Sequence, residues 1–122
     1  HRLGPGQFDR LLAEYIDRSS LTPAEGQRRL LAAAGIESPE RILVHTATGC
    51  EKCSGKGYKG RMGIYEIFEN NPAIRELIQR HARPSELFEA AIASGMRSLR
   101  HDALEKLVQG KIDVRQARVA YI

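Results

Sequence analysis

The sequence predicts a mainly α-helical domain with a small two-stranded β insertion that carries a glycine-rich C-x-x-C loop. Three observations lead to that class. Apolar residues recur at helical spacing in window after window. Two short apolar, β-branched stretches flank residues 48–63, and that intervening span holds five glycines, too many for a helix or a regular strand. At 122 residues the chain has the size of one soluble domain. Such a domain buries roughly two thirds of its unfolded surface and needs no disulfide scaffold.

Residues 1–6, with two glycines and a proline and no periodicity, read as a frayed lead-in. Phe8, Leu11, Leu12, Tyr15 and Ile16 then form one apolar stripe, with Asp9, Arg10, Glu14 and Asp17 largely outside it. Ser19 and Ser20 interrupt. Thr22-Pro23-Ala24-Glu25 supplies a capping box for a second helix that ends near Gly35. Ser38-Pro39 breaks the chain, and Arg41 to Thr46 is apolar and β-branched enough for a strand. Met62 to Phe68 reads as a second strand returning beside the first, which places Cys50 and Cys53 at the tip of a hairpin-like excursion.

Asn71-Pro72 caps a helix with the stripe Ile74, Leu77, Ile78 and His81, ended by Arg83-Pro84. Leu87, Phe88, Ala91 and Ile92 form the next stripe, closed by Gly95. Leu99, Ala103, Leu104, Leu107 and Val108 form another, opened by Ser98 and closed by Gly110, and Asp113 caps a last helix to Tyr121. The predicted organisation is a helical spacer plus cysteine-loop subdomain over residues 1–68 and a helical subdomain over residues 69–122, packed as one unit.

Nineteen Lys and Arg against fifteen Asp and Glu give +4. Residues 1–60 carry nine basic and seven acidic side chains and residues 61–122 ten and eight, so the excess is not a basic arm of the nucleic-acid type. No apolar run is long enough for a membrane span, and the first residues do not read as a secretory signal. Cys50 and Cys53 cannot staple distant segments, a use of cysteine that suits a reducing cytosol and a metal or redox role.

A C-x-x-C turn points two thiolates at one centre, and the glycines after it let backbone N–H groups turn toward the sulfurs, which is how half of a tetrahedral zinc site is built. His45 is the first candidate to add a ligand, followed by His1, His81 and His101. The plainer reading of His45 is an exposed side chain beside a strand, and of His81 and His101 half-buried residues near helix ends. A redox dithiol is a second reading of the pair, although it would want a helix N-terminus in a βαβ context. Lys52, Lys56, Lys59 and Arg61 with Tyr58 suggest a nucleic-acid hairpin, against solvated lysines on a glycine-rich tip. C-x-x-C-x-G-x-G also occurs, in four copies, in the cysteine-rich region of J-domain proteins, and this chain has one copy.

The uninterrupted string Thr48-Gly49-Cys50-x-x-Cys53-x-Gly55-x-Gly57-Tyr58-x-Gly60-Arg61-x-Gly63-Ile64-Tyr65-Glu66 resembles a motif in the C-terminal region of the type II secretion and type IV pilus assembly ATPases, the GspE/PilB family. Ser98-Leu99-x-x-Asp102 leading into a helix, Lys106, Gly110 and the closing helix from Asp113 are similar to that family's C-terminal end. The likeness runs from about Ile42 onward.

The resemblance implies a cytoplasmic hexameric ATPase, peripheral at the inner membrane, that drives pilin or pseudopilin assembly. Its catalytic part, with ATP and magnesium, would lie N-terminal to this region, and these residues contain no G-x-x-x-x-G-K-[ST] phosphate loop. The chain itself is then expected to be a non-catalytic structural and subunit-interaction domain. Its expected partners are the ATPase core of the same and neighbouring subunits and inner-membrane platform proteins, with no nucleic acid and no membrane insertion. Many members bind one structural zinc with two C-x-x-C pairs. Cys50 and Cys53 match the second, and the first is expected just upstream of His1; the alternative is a member that has lost the first pair and closes the subdomain without metal. A free-standing zinc or nucleic-acid-binding module is the alternative.

Overall fold

The computed structural model describes residues 1–19 and 21–121; Ser20, expected in the interruption after the first helix, and Ile122 lie outside them. Among the described residues six α-helices form where the apolar stripes predict them. Helix α1 (Pro5–Ile16) starts on a proline, with the Gly4 N–H donating to Gln7 Oε1 at 2.9 Å, and buries Phe8, Leu11 and Tyr15. Helix α2 (Pro23–Ala34) has the predicted capping box: the Glu25 N–H donates to Thr22 Oγ1 at 3.2 Å, and the Thr22 N–H donates back to the Glu25 carboxylate at 3.3 Å. Gly35 stops it at φ 69°, a conformation glycine adopts without steric cost.

Helix α3 (Pro72–Gln79) is capped by Asn71, whose side chain accepts from the Ile74 N–H at 2.9 Å, and α4 (Pro84–Ala93) again begins on a proline. Helix α5 (Leu99–Val108) opens on Ser98. Helix α6 (Val114–Tyr121) opens on Asp113, which accepts from the Gln116 N–H at 2.8 Å.

The core is built around α5, which packs against α1, α2 and α6. Ala103, Leu104 and Leu107 have no exposed surface; Tyr15, Leu30 and Ala117 meet them from the other three helices. Each fully buried large apolar side chain contributes about 1.5–3 kcal/mol relative to exposure, so these contacts decide the fold. Helices α3 and α4 pack on each other as a hairpin beside this core, burying Ile74, Ala91 and Ile92.

The two-stranded β insertion is not there: the described residues contain no strand. Ile42 and Val44 are extended and buried, yet their backbone pairs with the first residues of the chain and not with 62–68. The Leu3 N–H donates to Ile42 O at 3.2 Å and the Val44 N–H to His1 O at 2.8 Å, leaving one isolated antiparallel bridge between Arg2 and Leu43. The lead-in is therefore not frayed, and Leu3 is buried. Met62 to Phe68 runs without regular structure along α5, held by side chains of that helix. β-branched and aromatic residues favour an extended backbone but make a strand only where a second edge meets them.

Candidate functional site

The loop from Gly49 to Gly63 departs from regular structure because its glycines demand it. Glu51–Cys53 is a single 3₁₀ turn, followed by Ser54 at φ 56° and Gly55 at φ 80°. A Cβ on Gly57 (φ 83°) would stand 2.6 Å from the Ala47 Cβ, and one on Gly49 would stand 2.6 Å from the Gly55 carbonyl oxygen. Both positions need glycine for close approach as well as for dihedral freedom.

This turn brings the sulfurs of Cys50 and Cys53 to 3.6 Å, and the N–H groups of Cys50 and Gly57 each donate to Cys53 Sγ at 3.1 Å. Desolvation pushes the Cys53 thiol up, but these donors, with Gly55 and the Cys50 side chain, outweigh it and hold the thiol below its ordinary value. Two thiolates on one tetrahedral zinc, each about 2.3 Å from the metal, stand about 3.8 Å apart. The pair therefore fits as half of such a site. Among the described residues no third His, Cys, Asp or Glu joins it.

The four candidate histidines go elsewhere. His45 packs on Gly110, where an added Cβ would lie 3.0 Å from its Nε2. The amino group of His1 donates to Val44 O at 2.9 Å, and His81 sits just past α3 at φ 55°. His101, expected to be half-buried, is 1 % exposed and belongs to the core.

Beyond the sulfurs, the loop is anchored to two helix starts. The Tyr58 hydroxyl donates to Asp113 Oδ2 at 2.5 Å, on the residue that caps α6. Further along, the Tyr65 N–H donates to Asp102 Oδ2 at 2.9 Å, the Leu99 N–H to Glu66 Oε2 at 2.9 Å, and Lys106 Nζ to Gly63 O at 2.6 Å. Lys106 also pairs with Asp102 at 2.6 Å and lies over the Tyr65 ring at 5.1 Å. Glu66 and Asp102 thus place negative charge at the α5 N-terminus, where the helix dipole favours it. Residues 63–66 and the segment from Ser98 to Lys106, far apart in sequence, are two halves of one contact.

Sequence reasoning missed a polar cluster under this contact. His101 completes a capping box with Ser98: the Ser98 N–H donates to His101 Nδ1 and the His101 N–H to Ser98 Oγ, both at 3.2 Å. Its ring lies 4.7 Å from that of Tyr15, whose hydroxyl donates to Glu105 Oε1 at 3.1 Å; Arg97 Nε reaches the same oxygen at 3.4 Å. Burial pushes Glu105 above, and His101 below, its ordinary range. The available signal was the capping-box spacing of Ser98 and His101, read with a histidine in the place usually held by Glu.

These side chains hold one segment of the chain against another. No described helix is long and apolar enough to cross a membrane.

The family model described as "Type II/IV secretion system protein" matches residues 19–119. The chain is 38% identical over 84 residues to the type II secretion system ATPase E of Vibrio cholerae, covering 69% of this chain and 16% of that protein. It is 36% identical over 103 residues to the type IV pilus assembly ATPase PilB of Myxococcus xanthus (81% of this chain, 18% of that protein). It is also 35% identical over 95 residues to the type II secretion system protein E of Aeromonas hydrophila (77% and 18%). The chain thus spans less than a fifth of the length of these relatives. No solved structure matches it.

Proposed function

The chain belongs to the type II/IV secretion system protein family, of GspE/PilB type, and from that premise we propose that it is a non-catalytic structural and subunit-interaction domain of a hexameric ATPase that powers type II secretion or type IV pilus assembly. The observation that carries this reading is the interlock of the glycine-rich loop with the starts of α5 and α6. Glu66, Asp102, Lys106, Tyr58 and Asp113 all serve to fix the loop on the helical core. Used this way, these side chains give the loop a fixed surface for other parts of the assembly to meet.

Cys50 and Cys53 supply two ligands of a structural zinc site, and two further ligands come from residues beyond this sequence. Zinc there would hold the turn that Gly49, Gly55 and Gly57 make costly to order. The phosphate loop, with ATP and magnesium, belongs to the catalytic part of the larger protein, which acts in the cytoplasm at the inner membrane and meets the platform proteins there. The two units proposed from the sequence, residues 1–68 and 69–122, act together as one body.

Calorimetric titration of this chain with ATP and magnesium tests the non-catalytic assignment. The expected result is no heat of binding and no phosphate release. Saturable nucleotide binding by these residues would contradict it.

A further inference from the structure

A cleft of about 580 Å³ opens where the glycine-rich loop meets the turn between α5 and α6. Lys59 and Arg61 line it from the loop and Lys111 from the turn; all three are exposed, and none forms an ion pair among the described residues. No acidic side chain lines the cleft. The adjacent carboxylate, Asp113, is already engaged by the Tyr58 hydroxyl and the Gln116 N–H. Between the cations lie Ile64 and Ile112, both packed against the hydrophobic core, and Met62, which is 45 % exposed.

We propose that this cleft docks an acidic, apolar-containing peptide segment of a protein partner. Three cations that form no ion pair among the described residues, on a small concave surface with no acidic lining, favour an anionic occupant. The apolar lining distinguishes among anions. An inorganic phosphate or a purely charged polymer would gain nothing from Met62, Ile64 and Ile112, whereas Leu or Phe side chains between carboxylates would cover them. Single-stranded nucleic acid binds through successive aromatic platforms. Here Tyr58 is the one aromatic residue of the lining, and its hydroxyl is tied to Asp113. The inference extends the interaction role proposed above to a class of partner, and it stands whether or not Cys50 and Cys53 hold metal.

The test is fluorescence anisotropy of three labelled probes added to this chain: a short peptide alternating Glu and Leu, an all-Glu peptide of the same length, and a single-stranded oligonucleotide of the same charge. The alternating peptide should bind at least about tenfold more tightly than either control. Lys59→Glu, Arg61→Glu and Lys111→Glu together should weaken it by about tenfold or more, and Met62→Glu alone should weaken it measurably. All four positions are exposed, and circular dichroism confirms that each variant is folded. Equal binding of the alternating and all-Glu peptides, tighter binding of the oligonucleotide, or undiminished binding by the triple variant would each overturn the proposal. Metal content, measured separately, bears on the cysteine pair alone, so failure of one reading is distinguishable from failure of the other.

Discussion

Tyr65 and Asp102, 37 positions apart in the chain, are joined by a 2.9 Å hydrogen bond from the backbone N–H of one to the carboxylate of the other. Asp102 is held in turn by Lys106, four residues on, which also donates to the carbonyl oxygen of Gly63. One short stretch of α5 therefore satisfies both a donor and an acceptor of an extended segment that has no strand partner. Asp102→Ala should cost about 1.5–3 kcal/mol, the range for losing hydrogen bonds to a charged group. Hydrogen exchange should localise the loss, with the Tyr65 amide deprotected far more than amides in the middle of α5. A uniform change across the domain would mean that the contact does not hold the segment.

At the other end of the loop, Tyr58→Phe removes one hydroxyl that reaches Asp113. Melting temperature should barely move, while amide exchange rises across residues 55–61. Asp113→Ala removes the same bond and the α6 cap together and should cost about 1 kcal/mol more than the tyrosine change. Equal stability for the two variants would show that the cap does not matter.

The buried cluster of α5 makes stability depend on pH in two opposing ways. Burial lowers His101 below its unfolded value near 6.5, so the folded state binds fewer protons there, and its contribution is lost as pH falls through that unfolded value toward the folded one. Burial raises Glu105 above its unfolded value near 4.5, so the folded state binds more protons there, and its contribution grows as pH falls through the raised value. Glu105→Gln removes the compensating slope and should steepen the loss of stability below about pH 6.5. His101→Gln should flatten it. Urea titrations across that range decide, and parallel curves for all three proteins would contradict the assignment.

Gly26 faces α1, and a Cβ there would stand 2.4 Å from Ile16 Cγ2. Alanine raises helix propensity by about 1 kcal/mol at an interior position. The overlap costs typically 1–3 kcal/mol. Gly26→Ala should therefore be neutral to destabilising by about 2 kcal/mol, and should cost less in an Ile16→Ala background, which removes the Cγ2 it meets, whereas a clear stabilisation by Gly26→Ala alone would show that the helices shift apart without cost.

The helices were legible because their signals are local. Thr22 with Glu25 and Asn71 with Ile74 each satisfy a backbone donor within one turn, and spacing alone reveals them. The β insertion was not legible, because whether Ile42 and Val44 pair with residues 62–68 or with His1 to Leu3 depends on which backbone edge arrives. Propensity at the residues themselves is the same either way. The cysteine loop could be located from its glycines and thiols and Asp113 as a helix cap, but not that Glu66, Asp102 and Asp113 tie the loop to the helices, since those partners are 33 to 55 positions away. Glu105 was hidden for a related reason, since its burial depends on Tyr15, 90 positions away, supplying a hydroxyl.

The proposal that Cys50 and Cys53 hold half of a structural zinc site can be tested on the metal itself. Zinc analysis by mass spectrometry of the full-length protein, purified without added metal, addresses it most directly. About one tightly held zinc per chain is expected, as a closed four-ligand site requires, with its loss and lowered thermal stability in the Cys50→Ser and Cys53→Ser double variant. A full-length protein that carries no zinc and melts at the same temperature with or without these two thiols would contradict it.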